Sequence, residues 1–136
     1  MYSIERQLWG FKLTFADTIS NDEMQKWVIA SQHALSRVSG NFGILVDMRS
    51  SKRLASQVED TMIEGEQLYR RAGMVRSVVI LNSMALTLQC RRLAQDSGIY
   101  ERERYIDASS TTNWEQVGID WLTKGIDPDL GIGPSK

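Results

Sequence analysis

The residues best suited to chemistry gather in one stretch, Asn41 to Glu59, which reads NFGILVDMRSSKRLASQVE. An apolar segment there ends in Asp47, and three cations, Arg49, Lys52 and Arg53, follow among the hydroxyls of Ser50, Ser51 and Ser56. Cations and hydroxyls on one loop suit two kinds of chemistry: contact with an anion or an acidic partner, and acceptance of a phosphoryl group by a serine. Ser56 is the leading phosphoacceptor candidate, with Ser50 and Ser51 behind it, because a dianion at a helix start meets free amides and the positive end of the helix dipole. Against that stands a structural role. Ser56-Gln57-Val58-Glu59 fits a capping box, in which the hydroxyl satisfies an orphan amide, and Glu59 and Asp60 would repel a phosphate.

Other reactive types are sparse. Asp47 and Asp107, with Asn82 between them, could in principle hold a magnesium ion and support a small metal-dependent enzyme. No third carboxylate follows within a few residues of either, and no glycine-rich phosphate cradle exists, so no metal site or cofactor is assigned. His33, the single histidine, lies on the polar side of its helix, and Cys90, the single cysteine, falls within an apolar stripe, so no nucleophile-imidazole pair and no catalytic residue emerges. Met84 and Leu88 lie off their helix's core stripe beside Arg91 and Arg92, a combination that protein interfaces favour. The tryptophans mostly sit at helical spacing with other apolar residues and read as core.

The elements that must carry these residues follow from periodicity. Tyr2 to Leu8 and Phe11 to Ala16, parted by Trp9-Gly10, partly alternate and predict an antiparallel hairpin with one wet face. Phe42 to Met48 and Arg76 to Leu81 are near-continuous apolar runs, the pattern of strands buried on both faces, and Glu103 to Ala108 is a weaker last strand. Three helices open on capping-box patterns at Ser20, Ser56 and Thr112, and a fourth starts at Asn82-Ser83; Gly40, Gly73, Gly98 and Gly125 stop them. The order ββ-α-β-α-β-α-β-α makes a single α/β domain over residues 1–125, with a mixed sheet of about five strands and four helices. Residues 126–136 read as a loose tail. In such a sheet the loop after Asp47 sits at the carboxyl edge, where open α/β sheets place their ligands.

Bulk numbers bound the rest. A length of 136 residues suits one domain, and a formal charge of -1 gives no global steering toward nucleic acid or an anionic membrane. The amino-terminal MYSIERQLWG is charged where a signal peptide is apolar, and no run approaches the roughly 18 apolar residues of a membrane span. A lone cysteine suits a reducing compartment, so a cytoplasmic location is expected.

The element order, together with GILVDMR, RSVVIL and RYIDAS-x-x-x-NWE, resembles the STAS domain superfamily, whose type members are anti-sigma factor antagonists, and more closely its SpoIIAA-like branch. The resemblance runs from the amino-terminal strands to the helix at Asn113. It implies a strand ending in an acid, matched by Asp47, and a helix opening on Asp-Ser-Ser-Gly whose serine a partner kinase phosphorylates. Ser56 falls where the first serine of that motif stands, but Ala55 replaces its Asp, Gln57 its second Ser and Val58 its Gly. The expected function is therefore a non-catalytic regulatory or protein-interaction module that meets a protein partner through Asp47, Arg49, Lys52 and Arg53. Two rivals stand beside it: a carrier of a small apolar ligand, since the wider fold group resembles SEC14-type domains, and the metal-dependent enzyme. A homodimer is left open.

Overall fold

In the computed structural model, which describes residues 1–130, a five-stranded mixed sheet runs in the spatial order β1-β2-β3-β4-β5. β1 (Tyr2–Gln7) and β2 (Gly10–Phe15) pair antiparallel, and β3 (Phe42–Asp47), β4 (Met74–Leu81) and β5 (Glu103–Asp107) add in parallel. The connections carry α1 (Asn21–Leu35), α2 (Ser56–Ala72) and α3 (Met84–Ser97), with a 3-10 turn at Tyr100–Arg102, and α4 (Trp114–Lys124) follows β5.

Each parallel strand is laid beside its predecessor in the same direction. Right-handed crossovers then force α1, α2 and α3 onto one face, and only α4 remains to cover the other. Strand alternation divides the side chains accordingly. Ile44, Val79 and Leu81 join Trp27, Met62 and Leu93 on the three-helix side, while Leu45, Val78, Ile80 and Ile106 join Trp121 and Leu122 of α4. β3 and β4 are thus buried on both faces, as their unbroken apolar runs require. On the three-helix side α1 and α2 approach closely because Gly65 has no side chain: a Cβ there would lie 2.0 Å from the Trp27 ring.

Helix starts divide the expectations. Ser20 forms the full capping box, its Oγ accepting from Glu23 N at 3.1 Å while Glu23 Oε1 accepts from Ser20 N at 3.4 Å. Ser83 Oγ caps α3. The boxes expected at Ser56 and Thr112 do not form. α2 is preceded by Ala55 and α4 by Asn113, neither giving a side-chain cap. In both cases the glutamate that would close the box is drawn elsewhere: Glu59 to Gln89 and Arg92 of α3, and Glu115 to Lys12 of β2 at 3.7 Å. The start of the expected tail is tied down, since Arg104 grips Asp127 with bonds of 2.9 and 3.0 Å and lies 4.3 Å over the Trp121 ring. The rest of that tail, 131–136, lies outside the described residues.

Candidate functional site

The loop after β3 does sit at the carboxyl edge of the parallel strands, and the structure sorts its charged residues into two groups. Asp47 and Arg49 are spent internally. Asp47 is only 7% exposed, and its carboxylate accepts from Arg49 Nε at 3.0 Å, Arg49 Nη2 at 2.9 Å and the Arg49 amide at 3.1 Å. The same guanidinium lies 4.2 Å over the Trp114 ring, so one ion pair fastens β3 to α4. Partial burial pushes the Asp47 carboxyl upward, but the hydrogen bonds and charge of Arg49 outweigh it and hold the group below its ordinary value. Asp47 is buried, while Arg49, though paired, remains exposed.

Lys52 and Arg53 behave differently: both are exposed and neither takes part in an ion pair among the described residues. The loop that holds them is rigid. Asp17 N donates to Ser50 O at 2.8 Å, Lys52 N donates to Asp17 O at 3.1 Å, and Asn82 Nδ2 donates to Arg49 O. Ser50 is exposed, and Ser51 Oγ donates to the Lys52 carbonyl. Further on, Leu54 is clamped by Gln89 of α3: Leu54 N donates to Gln89 Oε1 at 2.9 Å, and Gln89 Nε2 donates to Leu54 O at 2.8 Å. Gln89 Nε2 also donates to Glu59 at 2.7 Å, and Arg92 bonds the same carboxylate. The Gln89 bond, with Arg92 aiding it and partial burial opposing, keeps Glu59 below its ordinary value.

This clamp makes one surface of two. Arg53 from the loop and Ala85, Leu88, Gln89 and Arg92 from α3 line a groove of about 360 Å³, in which Leu88 is 59% exposed; Met84, one helical turn before it, is 74% exposed. Arg91 does not belong to it. Its guanidinium turns the other way, 4.9 Å over the Tyr105 ring, so the expected face splits between its two arginines. Sequence reasoning missed Gln89, although a glutamine on the α3 stripe beside Leu86, Cys90 and Leu93 was the available signal. Ser56 is exposed at the edge of this surface with its hydroxyl in no capping bond.

The acids considered for a metal are engaged within the chain. Asp107 accepts from Ser109 Oγ at 2.6 Å and Ser109 N at 2.9 Å, bonds that lower its carboxyl below the usual range, and among the described residues no cluster of three acids, thiols or imidazoles could hold an ion. The carrier reading meets a small space. A cavity of about 40 Å³ lies between the sheet and the three helices, walled by Phe15, Trp27, Met62, Tyr69 and Leu93. That admits roughly three waters, not the several hundred Å³ of a usual ligand pocket. Two carboxyls absent from the sequence reading, Glu66 and Glu103, also line it. Cys90 is buried there too, which pushes its thiol well above the ordinary range.

Strand order, helix placement and the loop at the sheet edge define a SpoIIAA-like α/β fold. Among solved structures the chain is similar to an uncharacterised DUF3478-family protein with a SpoIIAA-like fold from Shewanella loihica PV-4, with a TM-score of 0.63 at 13% identity, over 90% of this chain and 92% of that one. No family model and no curated protein matches the chain. Among the described residues no helix is long and apolar enough to cross a membrane.

Proposed function

We propose that this chain is a non-catalytic protein-interaction module of the cytoplasm, and that it docks its partner in the groove between residues 52–56 and the outer face of α3. The observation that carries this reading is the Gln89 clamp, which holds Leu54 against α3 so that Arg53 borders exposed Leu88. A preorganised apolar strip bordered by unpaired cations suits a protein segment with one or two apolar anchors flanked by carboxylates. The SpoIIAA-like fold is consistent with such a role. Phosphorylation of Ser56 would place a dianion at the edge of the groove and repel that partner, which intact-mass measurement of protein from its own host can detect.

The test uses a photo-cross-linking residue in place of Leu88, with Ile29, 55% exposed on α1, as the control position. Position 88 is expected to give one discrete protein adduct in host extract that Arg53→Glu abolishes, while position 29 gives none. Adducts of equal yield from both positions, or indifference to Arg53→Glu, would exclude this groove.

A further inference from the structure

The row of helices over the sheet ends at α3, which among the described residues packs on α2 and on the 3-10 turn Tyr100–Arg102. Beneath its carboxyl-terminal half lie two acids. Glu66 hangs from α2, half-buried, and accepts from Ser97 Oγ of α3 at 2.7 Å; Glu103, 5% exposed at the start of β5, accepts from Ser77 Oγ at 2.8 Å and the Tyr105 hydroxyl at 2.7 Å. Both line the same apolar cavity, whose α3 wall includes Cys90 and Leu93. The charged and titratable groups around them are Asp96, Cys90 and Arg91 of α3, Tyr69 and Arg70 of α2, Tyr105 of β5 and Arg102 of the 3-10 turn, while β4 supplies the Ser77 hydroxyl. Arg91 lies over Tyr105, Arg102 donates to Met74 O and Asp96 faces Arg92, so neither glutamate forms an ion pair among the described residues.

We propose that Glu66 and Glu103 form a proton latch: while the pair holds a proton, α3 stays closed over the cavity, and loss of that proton to solvent releases the Leu93–Ser97 end of α3 and opens the cavity to bulk water. An unpaired carboxylate in an apolar space is costly, and the least costly relief is to move the element that separates it from water. α3 is that element. It is peripheral, and the ties of Gln89 and Arg92 to the loop and Glu59 hold it as far as Arg92, while Ser97 joins its last turn to Glu66. Burial pushes Glu103 up to about 7, and burial followed by the charge of Glu103 raises Glu66 in the same direction, so the pair's last proton leaves above the ordinary carboxylate range. The latch operates whether or not the outer groove binds a partner.

Cys90 is the chain's single cysteine, and it reports the opening. Its alkylation by iodoacetamide is measured at about pH 5.5 and about pH 8.5, each rate divided by that of the urea-unfolded chain at the same pH to remove thiol ionisation. The normalised rate of the natural protein is expected to rise about ten-fold or more, and those of Glu66→Gln and Glu103→Gln to stay flat. No rise, or an equal rise in all three proteins, overturns the latch. Should a glutamine variant not fold, amide exchange of the natural protein decides. Protection lost from Leu93–Ser97 and kept in α4 supports the latch; parallel loss from both overturns it.

Discussion

Replacing Glu103 with glutamine removes a buried acid while keeping its shape, and the structure sets the size and sign of the effect. Burial pushes this carboxyl from its ordinary value of 4.5 to about 7, opposed by the hydroxyls of Tyr105 and Ser77. At about 1.4 kcal/mol per pH unit, that difference is worth about 3 kcal/mol. Because the folded protein holds the proton more tightly than the unfolded chain, the stability is fully present below pH 4.5 and is lost as pH rises through about 7. Glutamine cannot ionise, and the two hydroxyls can rotate so that one donates to its carbonyl and the other accepts from its amide. Urea denaturation at about pH 5, 7 and 8.5 should therefore show the natural protein losing about 3 kcal/mol across the series relative to Glu103→Gln, which overtakes it in stability at the alkaline end. Asp47, Asp107 and Asp127, whose carboxyls are lowered, lose their contribution only on acidification below the ordinary 3.8 and do not enter this window. Parallel pH profiles for the two proteins would show that Glu103 is ionised in the fold, and the reasoning would fail.

Two further outcomes separate residues that look alike in sequence. Arg49→Ser should cost about 2–3 kcal/mol, because it leaves the buried Asp47 carboxylate unpaired and Trp114 without its cation, whereas Arg53→Ser should stay within about 0.5 kcal/mol; urea midpoints of the two variants read the difference directly. Ser20→Ala should cost about 1 kcal/mol through loss of its capping box, while Ser56→Ala, at an uncapped helix start, should be nearly neutral. Equal losses at the two serines would restore the capping role to Ser56.

Spacing along the chain sets the strands and helices, and strand order with right-handed crossovers then sets the face on which each helix lies. The two-sided apolar runs of β3 and β4, the amphipathic stripes and the glycine stops at Gly73, Gly98 and Gly125 are local signals, and physics converts them into elements with little further information, although α1 ends at Leu35, short of Gly40. The sequence also indicated the loop after Asp47 as the edge to watch. What it could not determine was the partner each polar side chain would choose. The capping pattern at Ser56 is local, yet Glu59 is taken by Gln89 and Arg92 from a helix some thirty residues away, and that competition exists only once α2 and α3 are packed. Arg49 looked like a free cation until folding placed Asp47 and Trp114 on either side of it. Glu66 and Glu103 drew no attention in the sequence because a carboxylate's environment is set by what covers it, and the cover comes from α3 and the neighbouring strand. Elements follow from spacing along the chain; side-chain pairing and burial follow from packing between elements, and tertiary structure alone decides those.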